Sequence, residues 1–213
     1  MEKTLIVKFS VGGNLKYLSH HQSMSMFKRA LVRSGIELCY SNGFNPRPKL
    51  SLPLPRAVGV SSDQELMCVS IICRENENGS DIGKLLSRYL PEGIGADSVE
   101  LAGGGVKLQP VSVVYEFCPA AVAAVDIQEL TGGLQKTLAD GKEIVIERKG
   151  AKKIKNVGGY IESIDIAAGR LQVKCRITPD GTIRVDEILR LFGIDLSTAA
   201  IPVKRKSIEW KYN

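Results

Sequence analysis

The chain has 213 residues, 44% of them hydrophobic, which is enough to bury a core and excludes intrinsic disorder as the main state. Lysine and arginine outnumber aspartate and glutamate by 29 to 23, a net charge of +6 that suits an anionic partner without demanding one. The opening MEKTLIVKF lacks an apolar signal region, and no run approaches the roughly 18 apolar residues of a membrane span, so a soluble, cytoplasmic protein is expected.

The segment TLIVKFSV alternates Leu5, Val7, Phe9 and Val11 with Ile6, Lys8 and Ser10, the period of two of a β-strand. After a Gly12-Gly13 turn, SHHQSMSMFKRALVRSG has Ser19 and Gln22 in capping-box spacing. It also has Met24, Phe27 and Leu31 on one stripe and Gly35 as a stop, which predicts a helix over 19–34. IELCYS reads as a short second strand, a proline-rich loop follows, and ELMCVSIIC reads as a buried strand. DIGKLLSRYL places Ile82, Leu85, Leu86 and Tyr89 at helical spacing before a strand at DSVELA. The order βαββαβ is that of a ferredoxin-like unit over residues 1–103.

GGGVKLQPVSV marks a boundary, with a linker over 104–112. Over 113–213 the pattern runs again. VVYEF is a strand, residues 125–139 stack Leu130, Leu134 and Leu138 in a helix, and EIVIERK is a strand. A hairpin turns at Ala168-Gly169, TIRVDEILRLFG is a helix stopped by Gly193, and IPVKRKSIEW closes the chain's last strand. The expected class is therefore α+β, two ferredoxin-like units in tandem, a duplication of pattern with no visible sequence repeat.

Five cysteines, Cys39, Cys68, Cys73, Cys118 and Cys175, are an odd number with no secretory signal, which argues against a disulfide framework. Cys68, Cys73 and Cys175 lie in apolar strand patterns and read as core thiols. No C-x-x-C pair is present and the only histidines are His20 and His21, so no metal site and no cofactor is expected. Walker, GxGxxG, GxSxG and HExxH motifs are also missing.

Three segments are candidate sites. In GFNPRPKLSLPLP, Pro46, Pro48, Pro53 and Pro55 fix their own φ and push Asn45, Arg47, Leu52 and Leu54 to extended conformations. A loop so stiff holds Arg47 and Lys49 out with little entropy left to lose, which suits a phosphate or carboxylate, and Phe44 beside them can stack on a ring. The alternative is that Phe44 and the Leu-Pro pairs seal one edge of a sheet. His20 and His21 open the first helix, where free N–H groups and the dipole attract anions. A nuclease reading makes one of them the proton acceptor, with Tyr40 or Arg47 steadying a phosphorane; capping or surface roles are the alternative. Lys28, Arg29 and Arg33 lie off that helix's apolar stripe and extend an anionic track or form a solvated face. The third segment, GKEIVIERKGAKKIKN, sets six cations, among them Lys149, Lys152, Lys153 and Lys155, against Glu143 and Glu147. Such clustering is what phosphate-backbone binding uses, and a solvated turn is the plainer reading.

The string YSNGFNPRPKLS, within a match from FSVGGNLKYLSH through residue 66, resembles the bacterial radical SAM-linked protein family (domain of unknown function 2344). Many of its members have Asp two positions after the matched histidine, where this chain has Gln22. Members are encoded beside, or fused to, a cobalamin-type radical SAM protein, so the resemblance implies an accessory or substrate-presenting role. This chain lacks a CxxxCxxC cluster motif, which assigns any radical chemistry to the partner. The expected function is a noncatalytic module that binds RNA, such as tRNA or rRNA, or another anionic substrate for that enzyme. The alternative is a metal-independent RNA endonuclease using a helix-start histidine.

Overall fold

The structure is a computed structural model and describes residues 1–74, 76–117, 127–141, 145–148, 151–192 and 202–212. The protein is a mixed α+β chain that divides into two compact units, Met1–Pro110 with Trp210–Asn213, and Val111–Glu209.

In the first unit, strand β1 (Glu2–Val11) leads through a 3-10 turn at Gly13–Tyr17 into helix α1 (His20–Arg33). Strands β2 (Leu50–Ser51) and β3 (Ser61–Ile72), helix α2 (Gly79–Ser87) and strand β4 (Ile94–Gly103) follow. The strands lie in the order β4-β1-β3-β2, each antiparallel to its neighbours in that series. The alternation read in β1 is what fills the core. Leu5, Val7, Phe9 and Val11 pack with Phe27, Ala30 and Leu31 of α1 and with Met67, Val69 and Ile71 of β3. Phe9 and Phe27 meet edge to face, with ring centroids 4.6 Å apart. The other face of β1 is covered too: Ile6 joins Leu66, Cys68 and Leu108, with Trp210 packed against them.

Helix α1 begins where the capping box places it. The Ser19 hydroxyl accepts the Gln22 N–H at 3.3 Å, and the Gln22 side-chain oxygen accepts the Ser19 N–H at 2.8 Å. Gln22 therefore has a local structural task at the helix start. Helix α2 approaches β4 so closely that a Cβ on Gly83 would stand 2.7 Å from Val99 Cγ2, which is why a glycine occupies that position.

Three expectations are corrected. IELCYS forms no strand; Leu38 and Tyr40 each make one isolated bridge, to Ile71 and Pro48, and sheet pairing resumes only at β2. Met24 is half-buried and does not share the core of Phe27 and Leu31. Tyr89 leaves the apolar stripe because α2 ends at Ser87, and its side chain is exposed. Strand β5 (Leu108–Phe117) begins within the segment 104–112, where the division between the two units also falls, between Pro110 and Val111.

The second unit continues through helix α3 (Ile127–Ala139), strands β6 (Val145–Arg148) and β7 (Ala151–Asn156), and strands β8 (Ile161–Ala167) and β9 (Arg170–Arg176). Helix α4 (Val185–Leu191) and strand β10 (Val203–Tyr212) complete it. Its strands run β10-β5-β9-β8, and among the described residues β6 and β7 form a separate two-stranded sheet. The β8–β9 turn has left-handed backbone at Ala168 (φ 49°) and Gly169 (φ 70°), the conformation of a two-residue type I′ hairpin. Phe117, Val173, Cys175, Ile188 and Phe192 are among its buried residues.

Several cations of the second unit are tied to carboxylates. Glu116 is nearly buried and accepts Arg170 at 2.6 Å and Gln172 at 3.1 Å, with Lys206 at 3.9 Å. Glu162 takes Lys174 at 3.0 Å and Arg176 at 3.1 Å. Burial pushes the Glu116 carboxyl up, but the Arg170 and Gln172 hydrogen bonds and the nearby cations outweigh it and leave the group below the usual range. The bonds from Lys174 and Arg176 hold Glu162 low as well. Because both carboxyls titrate lower in the folded state than in the unfolded chain, their stabilisation is complete above the unfolded carboxylate range. It fades as pH falls through the lowered folded values. A urea midpoint that drops on acidification below about pH 4, and drops less in Glu116→Gln, is the expected result; equal acid sensitivity in the two proteins would remove Glu116 as a source.

Among the described residues no helix is long and apolar enough to cross a membrane, and no group of three or more His, Cys, Asp and Glu is placed to hold a metal ion.

Candidate functional site

The proline segment divides into two parts with different tasks. Its first part is a closed excursion anchored on β3. Lys49 N–H donates to Cys39 O at 2.9 Å, Ser41 N–H to Arg47 O at 2.8 Å, and Arg47 N–H to the Ser41 hydroxyl at 3.0 Å. The base is tied to the sheet, since Cys39 N–H reaches Ser70 O and Ser70 N–H reaches Lys49 O. Prolines with no N–H to satisfy and three cross-links thus give the loop its stiffness. Its second part packs: Leu50 and Leu52 lie against the core.

Arg56 ends this segment as a staple that the sequence did not reveal. Its guanidinium donates to Lys16 O at 2.6 Å, to Leu15 O at 3.2 Å and to Val60 O, tying the loop's exit to the 3-10 turn that precedes α1. Under the start of α1 a cavity of about 20 Å³, room for about one water, is lined by His20, Ser23, Arg56 and Glu65 among others.

Loop and helix together form an open groove. His20, His21, Met24, Ser25 and Lys28 of α1 line one side, and Arg47, Pro48 and Leu50 the other. His20, Met24 and Lys28 are spaced by four, so they lie in one row on the helix. Met24 and Leu50 supply an apolar floor, and His20, His21, Lys28 and Arg47 are exposed. At the helix start the capping box uses Ser19 and Gln22, which leaves the first-turn N–H groups of His20 and His21 without an intrahelical acceptor.

Not every candidate reaches this groove. Lys49 turns to Glu2, at 3.3 Å, and Phe44 stands fully exposed in the loop. Asn45 and Tyr40 are exposed and do not line the groove. Arg29 and Arg33 face a different depression, shared with Arg88 and Tyr89. Lys152, Lys153 and Lys155 lie on β7 of the β6–β7 hairpin; Lys149, Lys142 and Cys118 fall outside the described residues. Cys68 and Cys175 are core thiols, pushed by burial to about 11 and about 12, far from the range of a reactive thiolate.

The electrostatic signal of the first unit exceeds that of the lysine hairpin. Residues 3–62 contain nine lysines and arginines and a single carboxylate, Glu37. The segment's excess positive charge therefore exceeds that of the whole chain. Lys28, Arg29, Arg33 and Arg47 make no side-chain hydrogen bond or ion pair with a described residue, in contrast to Arg170, Lys174 and Arg176 of the second unit. Unpaired like charges on one helix repel, so the arrangement is costly for the fold and favourable for an anion.

A family model described as "Uncharacterized protein conserved in bacteria (DUF2344)" matches residues 4–186. The chain belongs to that family. The match runs through both units and includes the loop and α1, so the groove is built from segments within the family domain. No curated protein matches the chain. Among solved structures, an unknown protein from Galdieria sulphuraria is 12% identical over 99% of each chain with a TM-score of 0.28, too low a likeness to bear on fold or function.

Proposed function

We propose that the protein is a noncatalytic module that binds RNA, or another polyanionic substrate, in the groove between α1 and the 41–47 loop and presents it to a cobalamin-type radical SAM enzyme. The observation that carries the binding half is the groove itself, where Lys28 and Arg47 face one apolar floor with two histidines and no described carboxylate among the lining residues. A phosphate seated there meets cations on both sides and the free N–H groups of the first helical turn. The partner half rests on the resemblance of YSNGFNPRPKLS to radical SAM-linked proteins. Both units are read as ferredoxin-like, supported by the matching strand orders β4-β1-β3-β2 and β10-β5-β9-β8, with β6 and β7 as an insertion in the second. Lys149, Lys152, Lys153 and Lys155 extend the interface along the RNA in this reading.

His20 and His21 in the same groove favour one second reading, metal-independent RNA cleavage with a histidine as base and Arg47 steadying the phosphorane. Incubation with bulk cellular RNA in chelator separates the two. Retention of intact RNA at low salt, weakened by added salt, is expected of the binding module. Cleavage that disappears in a His20→Ala, His21→Ala double variant would replace it with the nuclease.

A further inference from the structure

A second depression on the first unit carries chemistry that the groove does not use. Arg29 and Arg33, one helical turn apart on α1, line it with Arg88, Tyr89 and Pro91 from the end of α2. All three arginines are exposed, and none makes a side-chain hydrogen bond or ion pair with a described residue. Arg33 gains from the C-terminal end of the helix dipole, but Arg29 repels both Lys28 beside it and Arg33 four residues on. Tyr89 is 42% exposed beside these cations. Its backbone is held, with its N–H on Leu86 O at 2.9 Å and Pro91 two residues later closing a turn through Ile94 N–H. Three guanidinium groups around an exposed phenol on fixed backbone present planar, bidentate phosphate donors next to a stacking surface.

We propose that this depression is a nucleotide subsite for single-stranded nucleic acid, with one base stacked on Tyr89 and its flanking phosphates on Arg29, Arg33 and Arg88. The proposal rests on the RNA-binding reading for its ligand class, and it adds a second point of attachment for that ligand. From His21 to Arg33 the axis of α1 rises roughly 18 Å at about 1.5 Å per residue, so a strand engaging both grooves runs along or across the helix while a mononucleotide occupies only one.

The test uses the full chain and two fluorescent probes, an oligouridylate and an abasic strand of the same length, read by anisotropy at low salt. Tyr89→Leu is expected to weaken oligouridylate binding about tenfold and leave the abasic strand unchanged, because only the stack is removed. Arg88→Gln is expected to weaken both probes. Thermal melts of both variants should match the parent, as both residues are exposed. If Tyr89→Leu and Arg88→Gln bind like the parent while Arg47→Glu does not, the subsite is refuted and the loop groove stands. If Tyr89→Leu weakens the probe but Arg47→Glu does not, the subsite stands and the loop groove falls. Equal weakening of both probes in Tyr89→Leu would overturn the stacking role, and a parent protein that binds neither strand would overturn both proposals.

Discussion

Lys28→Glu combined with Arg47→Glu is expected to cut RNA affinity by on the order of a hundredfold or more while leaving the melting temperature within a degree or two. Each parent cation contributes roughly 1.5–3 kcal/mol when it bonds a phosphate, and each glutamate adds repulsion where attraction stood. Neither side chain has a partner among the described residues, and exposed substitutions of that kind stay within about 0.5 kcal/mol of neutral for folding. The double charge reversal should also flatten the dependence of log affinity on log salt by about 0.7 for each single-strand phosphate that is no longer neutralised. A variant that binds normally with an unchanged slope would remove the groove from the interface. A variant that melts early would assign the two cations to the fold instead.

Phe27→Ala is the substitution with the largest expected cost to the fold. Phe27 is fully buried in α1 and meets Phe9 of β1 edge to face, so truncation removes the ring pair that seats the helix on the sheet. The expected destabilisation is about 3–5 kcal/mol, a large share of the roughly 5–15 kcal/mol that holds a typical domain together. Because α1 carries one wall of the groove, RNA binding should fall in parallel with folding as temperature rises, and Phe27→Leu, which keeps most of the volume, should recover both. Chemical denaturation with a midpoint unchanged by Phe27→Ala would mean that the helix is held by other residues.

Much of the fold was legible because its signals are local. The capping box at Ser19 and Gln22 needs only a spacing of three, and β1 shows its core face through strict alternation. The same logic explains the failures. Ile36, Leu38 and Tyr40 alternate as a strand does, but alternation reports an extended backbone and cannot report where the ladder stops; here the chain peels into a loop cross-linked between residues 39 and 49 and between 41 and 47. Tyr89 continues the spacing of Ile82 and Leu86, yet the helix ends at Ser87 and the period no longer governs the side chain.

The candidate site was legible in part. His20 and Arg47, both candidates from their local chemistry, line one groove because a helix start and a loop anchored on β3 meet at one edge of the sheet. Lys49, next but one to Arg47, goes elsewhere although alternation alone would set the two on one side; it pairs instead with Glu2, a partner 47 residues away in the chain. Arg56 looks like any surface cation, and its bonds to the Lys16 and Leu15 carbonyls, about forty residues away in the chain, leave no trace in its neighbourhood. The near absence of carboxylates from residues 3–62 was available in the sequence and is a stronger pointer than the lysine hairpin; it emerges only when charge is counted over the whole segment that the fold gathers into one unit.

Ultraviolet cross-linking of bound cellular RNA to the intact protein, followed by mapping of the cross-linked peptides, tests the central claim most directly. Cross-links concentrated in residues 20–28 and 41–50 are the predicted result. Cross-links confined to Val111–Glu209, or no RNA retained by the protein at low salt, would contradict it.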